Sequence, residues 1–172
     1  MILVVSDTSP LNYLILIKAE EVLPSLFGSI IVPSQVLEEL QRSKAPGPVR
    51  VWANDLPSWV HIRTGDTPRF PLLNYGESTA LAMAQDERGQ LLVDEVDARS
   101  VATSLGVPII GTVGILAEAH LKALLDFDTA IQALSATTFR VHANVITTAR
   151  ARILTRQPGY SARLDELDPE AN

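Results

Sequence analysis

Residues 1–11, with the sequence MILVVSDTSPL, decide the fold class of this chain. The apolar residues 1–5 predict a buried strand, and Asp7 follows it after a single serine. Ser9 and Pro10 are typical of a helix start, with serine as the N-cap and proline at the first helical position. A buried strand that leads straight into a helix is the first half of a βα unit. The stretch therefore predicts an α/β fold.

Apolar runs of strand length alternate with helical periods along the rest of the chain. Further strands are predicted at residues 29–32, 59–63, 91–93, 107–110 and, as a short strand, 138–142. The helix after the second strand is predicted to end near residue 41. Further helices are predicted at residues 49–55, 76–88, 95–105, 112–123, 126–136 and 144–156. This order is typical of a central parallel sheet. It predicts one domain over residues 1–157, followed by a loosely ordered tail at residues 158–172.

Composition limits the possible functions. The chain has 172 residues, 47% of them hydrophobic and 20% charged, enough to bury one substantial core. It has no cysteine, which excludes disulfides, thiolate metal sites and cysteine nucleophiles. Asp7 and Pro10 interrupt the apolar N-terminal run, and Lys18 follows too soon for a membrane-spanning segment, so we expect a cytoplasmic protein with no membrane contact.

Charge is distributed unevenly. The net charge of −6 argues against a general nucleic-acid coat protein, because such proteins use broad basic surfaces. Residues 129–164 nevertheless contain no acid and hold five arginines: Arg140, Arg150, Arg152, Arg156 and Arg163. Arg152 and Arg156 are one helical turn apart and share a face. We expect Arg150, Arg152 and Arg156 to bind RNA or an acidic partner; the alternative is an ordinary solvated face.

Acidic residues follow or flank the predicted strands: Asp7, Glu39, Glu77, Asp94 and Asp97. The carboxyl ends of parallel strands meet at one edge of a sheet, where ligands of open α/β folds bind. Carboxylates gathered there repel one another unless a hard divalent cation lies among them. The pattern therefore predicts a site for Mg²⁺ or Mn²⁺.

Each acid also has a purely structural interpretation. Glu39 borders the buried helix face set by Val36 and Leu40, whereas Glu38 points away from that face, so Glu39 is the better ligand. Both glutamates could instead pair with Arg42 at helical spacing.

The two later acidic positions have the same ambiguity. Glu77 lies in one inward row with Leu81 and Ala84, yet a glutamate in the first turn is also favoured by the helix dipole. Asp94 with Asp97 three residues on resembles a capping box. None of these acids by itself indicates a metal site; their recurrence at the ends of several strands does.

Four motifs, in order, resemble those of PIN-domain proteins. They are VVSDTSPL at residues 4–11, VP with VLEEL at 32–33 and 36–40, GESTALA at 76–82, and LLVDEVDAR at 91–99. Glu39, the acid directly before leucine, matches the family glutamate. GVPIIGT at residues 106–112 resembles the next strand and turn of a prokaryotic branch related to VapC-type toxins. The resemblance covers about residues 1–125.

The resemblance implies a three-layer α/β/α sandwich with a central parallel sheet and a metal-dependent ribonuclease activity. It also implies RNA as substrate, frequent homodimers and, in many relatives, a small antitoxin partner. In the toxins the last motif reads as a turn with threonine or asparagine, whereas residues 94–97 here read DEVD. This departure leaves open whether Asp94 or Asp97 binds metal directly.

The residue types agree with this chemistry. Hydrolysis of a phosphodiester without a His, Cys or Ser triad can use a metal that activates water and bridges phosphate oxygens. We assign Asp7, Glu77 and Asp94 as metal ligands, directly or through water. Glu39 and Asp97 complete the set or orient the attacking water.

Three hydroxyl groups are expected to support these carboxylates: those of Thr8, Ser9 and Thr112. Helix capping explains Ser9 nearly as well.

Other enzyme classes fit less well. A haloacid-dehalogenase-type phosphatase would have an aspartate at the position of Ser9, and a receiver domain would have a second acid at Ser6. A dinucleotide-binding domain needs a glycine-rich first turn, which is absent. The remaining alternative is a non-catalytic PIN-like module that binds RNA or a protein without cleaving it.

Overall fold

The computed structural model describes residues 2–66 and 68–160. Residue contacts divide the chain into two compact units, Met1–Thr112 and Val113–Asn172. The predicted C-terminal tail lies outside the described residues from residue 161 onward. None of the helices in the described ranges is both long and apolar enough to cross a membrane.

The first unit is built on a parallel sheet. Its strands within the described residues are β1 (Val4–Ser6), β2 (Ile30–Pro33), β3 (Val60–Arg63), β4 (Gln90–Leu92) and β5 (Ile109–Ile110). Their order is β3-β2-β1-β4-β5, and every neighbouring pair is parallel. Val5 lies opposite Ile31 on one side and Leu91 on the other. The chain therefore builds outward from β1 to β3 and then returns to the other side of β1, so the topological switch point lies between β1 and β4.

Helices cover this sheet. Those described in the first unit are α1 (Thr8–Leu16), α2 (Val22–Phe27), α3 (Ser34–Gln41), α4 (Gly47–Asn54), α5 (Tyr75–Asp86) and α6 (Val96–Ser104). Every residue of β1 and β2 is buried. Since successive strand residues point to opposite faces, both faces of the central strands are covered. The prediction of a three-layer α/β/α sandwich is confirmed.

The predicted helix phases agree with the observed burial. Val36 and Leu40 of α3 are fully buried, Glu38 is exposed and Glu39 is intermediate. Leu81 and Ala84 of α5 are fully buried, and Glu77 in the same row is half-buried. Periodicity thus indicated which side of each helix faces the core.

One local prediction for the first unit is wrong, and one helix was not predicted. α1 begins at Thr8, so Ser9 is a helical residue and not the N-cap. The short helix α2 was not predicted, because Pro24 within an apolar run is more often a helix breaker; here it lies in the first turn, where a missing N–H costs little.

The second unit is helical in its described part. It contains α8 (Phe127–Ser135), α9 (Ala143–Arg156) and most of α7 (Thr112–Leu121), which begins at the last residue of the first unit. The short strand predicted at residues 138–142 is absent from the described structure, which has a turn and a loop there. Local hydrogen bonds replace strand pairing: the Thr137 hydroxyl accepts from the Phe139 N–H, and Arg140 donates to the Thr137 and Phe139 carbonyls.

Candidate metal centre

Three helix N-termini meet near the topological switch point, and each carries an acid. Asp7 immediately precedes α1, Glu95 immediately precedes α6, and Glu77 lies in the first turn of α5. The Asp7 N–H donates to the Leu92 carbonyl at 3.0 Å, which ties the ends of β1 and β4 together. Helix N-termini favour negative charge, so this is a place where the fold tolerates acids and binds ligands.

The three carboxylates converge. One oxygen from each of Asp7, Glu77 and Glu95 lies within 4.8 Å of the other two. Oxygens bound to one Mg²⁺ ion are at most about 4 Å apart, twice the ligand distance of about 2.1 Å. Small side-chain rotations therefore suffice to place all three oxygens around one hard cation.

Asp7 shows most clearly that the cluster needs a positive partner. Its side chain is only 2% exposed, and its Oδ1 is buried without a hydrogen bond. Although Asp7 occupies the N-cap position of α1, its side chain makes no capping bond. Oε2 of Glu95 is likewise buried without a hydrogen bond. Buried carboxylate oxygens without donors are costly, and a coordinated cation removes that cost, so these residues fit a divalent metal.

The pKa shifts of these carboxyl groups agree with a site for a cation. Burial raises the pKa of Asp7 well above its ordinary value, and the nearby charges of Glu95 and Glu77 raise it further. Burial also raises the pKa of Glu77, with additional contributions from Glu95, Glu39 and Asp97. These carboxylates therefore resist simultaneous ionisation unless a cation lies among them.

Glu77 has a structural role as well. Its Oε2 accepts the Asn74 N–H at 3.1 Å, and its own N–H donates to Oδ1 of Asn74 at 2.9 Å. This reciprocal capping box holds the first turn of α5 and fixes where Glu77 stands. Glu77 therefore both caps α5 and belongs to the cluster of three convergent acids.

Each of the three predicted hydroxyls donates to a carboxylate. Thr8 donates to Oε2 of Glu39 at 2.5 Å, and Ser9 donates to Oε1 of Glu95. Thr112 donates to Asp94. Each of these hydroxyls therefore fixes the orientation of one carboxylate.

Asp94 lies apart from the three convergent acids. Its Oδ1 accepts the Thr112 N–H and its Oδ2 the Thr112 hydroxyl, both at 2.7 Å. Burial raises the pKa of Asp94, and the two bonds from Thr112 counteract this. Each oxygen of Asp94 therefore accepts one hydrogen bond from Thr112, the last residue of the first unit.

Glu95, and not Asp94, is the acid that the structure brings to Asp7 and Glu77. Sequence reasoning missed it because Asp94 and Asp97 resemble a capping box, whereas α6 in fact begins at Val96. The available signal was the helix start: Glu95 is the last residue before α6, as Asp7 is before α1. Asp97 is exposed, close enough for its charge to raise the pKa of Glu77.

The predicted binding arginines have partners within the second unit. Arg150 donates to Asp128 at 2.9 Å, with side chains only 18% and 3% exposed, and Tyr160 donates to the same carboxylate at 2.8 Å. Burial and this hydrogen bond raise the pKa of Tyr160 to about 12. Arg152 and Arg156 share a face as predicted, since both contact Glu118. They remain about half-exposed, whereas Arg150 is part of a buried ion pair.

Comparison with known proteins places this geometry in context. The chain matches the model of the family DUF3368, described as a PIN domain, over residues 3–154. No curated protein matches it at a significant level. Among solved structures it is similar to a PilT N-terminus domain protein from the hyperthermophilic archaeon Sulfolobus solfataricus P2. That similarity has a TM-score of 0.47 and 17% sequence identity, over 81% of this chain and 97% of the other.

Proposed function

This chain belongs to the PIN-domain family, whose members are generally nucleases that use divalent metals, and we propose that it is a Mg²⁺- or Mn²⁺-dependent endoribonuclease. The observation that carries the proposal is the convergence of Asp7, Glu77 and Glu95 around a buried oxygen that has no hydrogen bond. The proposal includes a cytoplasmic location, where RNA is available as substrate.

The roles of the side chains follow from their contacts. Asp7, Glu77 and Glu95 hold the cation, and Ser9 fixes the Glu95 carboxylate. When bound, a divalent cation supplies a water of lowered pKa and neutralises charge that develops on the phosphate. Glu39, held by Thr8, orients the attacking water from the neighbouring helix α3. Exposed Asp97 contributes negative charge at the rim of the site.

Asp94 then acts through Thr112. Its two hydrogen bonds with Thr112 fix the segment that follows β4 and so position Glu95 next to it. This assignment replaces Asp94 by Glu95 among the three direct ligands. Under this proposal neither Asp94 nor Asp97 is a direct ligand.

The test is cleavage of an RNA that contains both helices and unpaired loops, with Mg²⁺ or Mn²⁺ and with chelator. Asp7→Asn, Glu77→Gln and Glu95→Gln should each lower the rate by more than the 10- to 100-fold typical of groups around a metal's ligands, whereas Asp94→Asn should stay within about that range. Glu38→Gln, an exposed change on α3, is the matched control. Full activity in any two of the three ligand variants would remove the site.

Metal binding has a readout of its own. Mn²⁺ should raise the melting temperature of the wild-type protein, because a ligand that binds only the folded state stabilises it. The same addition should leave the melting temperature of Asp7→Asn almost unchanged. If the metal binds and RNA binds but no cleavage occurs, the protein is the non-catalytic RNA-binding module.

The resemblance to VapC-type toxins extends the proposal to biological context. We include a homodimer and a small antitoxin partner, with Arg152 and Arg156 as contacts for the acidic partner or for RNA. Their half-exposed side chains on one face of α9 support this role, whereas the buried pair of Arg150 with Asp128 favours a structural role for Arg150. Arrest of growth on expression of the wild-type chain, and not of Asp7→Asn, would support the toxin function.

A further inference from the structure

Three residues close in sequence to those of the candidate metal centre carry exposed apolar side chains. Leu72 is 84% exposed and Val96 76%, more than any other large hydrophobic residue in the described part of the chain. Val96 directly follows Glu95, and Leu72 precedes the capping box at Asn74 by two residues. Tyr75, the first residue of α5, is 50% exposed. Apolar surface in contact with water beside an acidic cluster is unfavourable unless a ligand covers it.

Tyr75 stands next to the acids along the chain and in space. Only Gly76 separates it from Glu77. A Cβ at Gly76 would lie 2.6 Å from Oε1 of Glu39, so this turn of α5 approaches the Glu39 carboxylate as closely as a glycine permits. Tyr75 therefore directly precedes the residue at which α5 approaches the Glu39 carboxylate.

The ring of Tyr75 is held in place before any ligand arrives. Its backbone lies in the first turn that the Asn74–Glu77 capping box fixes, and its carbonyl accepts the Thr79 hydroxyl at 2.8 Å. At the other end, the amide of Gln35 donates to the Tyr75 hydroxyl at 3.4 Å. Gln35 is buried on α3, one helical turn before Glu39. A ring anchored at both ends with half its surface in water offers a prepared apolar face.

From this arrangement we infer that Tyr75 is the base-contacting residue of the site, stacking an unpaired nucleobase of RNA whose phosphate would meet the cation held by the carboxylates. The inference rests on the proposed function and names the form of its substrate. A nucleotide joins a flat apolar base to a phosphate, which matches an aromatic ring adjacent to a metal centre. Bases inside a duplex have their faces covered by neighbours, so only an unpaired base can stack on this ring.

Base stacking on an aromatic side chain is sequence-tolerant, since every base has a π-face. Loss of such a contact typically weakens binding by about 5- to 100-fold. The site should therefore select unpaired over paired nucleotides without strong preference for one base.

The experiment uses a short oligouridine strand that carries one 2-aminopurine, whose fluorescence falls when the base stacks. The strand is mixed with Mn²⁺-loaded full-length protein in a stopped-flow instrument, so that early quenching reports stacking and a later phase reports cleavage. Wild type and Tyr75→Phe should both quench the signal. Tyr75→Leu should abolish the quench and weaken binding by about 5- to 100-fold. Val51→Ala, which removes an exposed apolar side chain on α4, is the control and should behave as wild type.

The outcomes separate this inference from the proposed function. Quenching without a later cleavage phase supports the stacking residue and contradicts the nuclease. Cleavage with equal quenching by wild type and Tyr75→Leu overturns the role of Tyr75 and leaves the nuclease intact. Should Tyr75→Leu fail to fold, an abasic nucleotide in place of 2-aminopurine provides the second measurement on wild-type protein. Equal affinity for the abasic and the 2-aminopurine strand would also overturn the inference.

Discussion

Asp7 combines two properties that oppose each other in a folded protein. It is almost completely buried, and one of its carboxylate oxygens has no hydrogen bond. Its position before α1 provides the helix dipole, but the pKa is still raised because burial and the charge of Glu95 outweigh the backbone hydrogen bond from Thr8. In the absence of metal, ionised Asp7 therefore destabilises the fold that holds it.

The first prediction is that Asp7→Asn stabilises the metal-free protein at neutral pH. A raised pKa means that the folded state favours protonated Asp7, so its contribution to stability is complete below the ordinary value of 3.8 and is lost as the pH rises through the raised value. The advantage of Asp7→Asn should thus be absent near pH 4 and grow towards pH 7. Melting temperatures in chelator measure it, at about 2–4 °C per kcal/mol for a chain of this size.

The Glu38→Gln variant is the control for this experiment, since Glu38 is exposed on α3. It should show no such pH-dependent gain. A lower melting temperature for Asp7→Asn at pH 7 would contradict the prediction and would indicate that Asp7 serves the fold as a hydrogen-bonded cap.

At the scale of elements, the site depends on how closely α5 approaches α3. Gly76 at the second position of α5 leaves room for the Glu39 carboxylate, which Thr8 holds from α1. Helices α1, α3 and α5 thus contact one another through the Thr8 hydroxyl, the Glu39 carboxylate and Gly76. Backbone strain plays no part here; the requirement is for space.

The second prediction concerns that space. Gly76→Ala should leave the protein folded, because alanine is favoured over glycine in a helix by about 1 kcal/mol and the atoms it would meet end a side chain. It should nevertheless lower the cleavage rate, since the new methyl group displaces the Glu39 carboxylate. Gly47→Ala is the matched control: Gly47 also lies in the first turn of a helix, and a Cβ there meets nothing within 4 Å. Equal rates for both variants would show that Glu39 has no part in the reaction.

The third prediction separates the arginines of α9 by their surroundings. Arg150→Gln removes the buried ion pair of Arg150 with Asp128 and should lower the free energy of unfolding of the second unit by about 3 kcal/mol. Arg152→Gln removes a half-exposed contact to Glu118 and should cost less than about 1 kcal/mol. Denaturant unfolding of the full chain, followed by hydrogen exchange in residues 113–160, measures both. Similar losses for the two variants would contradict the assignment of Arg150 to structure.

At the scale of the whole molecule, the order of the strands determines which acids meet. Because β1 lies between β2 and β4, the acids after β1 and β4 are neighbours at the switch point, and α5 brings Glu77 to the same place. A sheet whose strands followed their order in the chain would separate Asp7 from Glu95 by several strands. The candidate metal centre is therefore a product of topology more than of any single motif.

The sequence by itself determined the α/β class, the parallel sheet, the buried faces of α3 and α5, and the assignment of Asp7, Glu39 and Glu77 to one region. It could do so because hydrophobic period and helix phase are local properties of the chain. The strand predicted at residues 138–142 was wrong, because local hydrogen bonds of Thr137 and Arg140 compete with strand pairing.

Only the tertiary structure showed that a carboxylate oxygen of Glu95 lies within 4.8 Å of oxygens of Asp7 and Glu77. Two adjacent acids after a strand are equivalent in sequence, and their fates depend on where α6 begins and on Thr112, which engages both oxygens of Asp94 from a distance of 18 residues. The same holds for Arg150, whose buried partner Asp128 lies 22 residues earlier. Contacts between residues far apart in the chain are set by packing and topology, and for that reason local patterns could not reveal them.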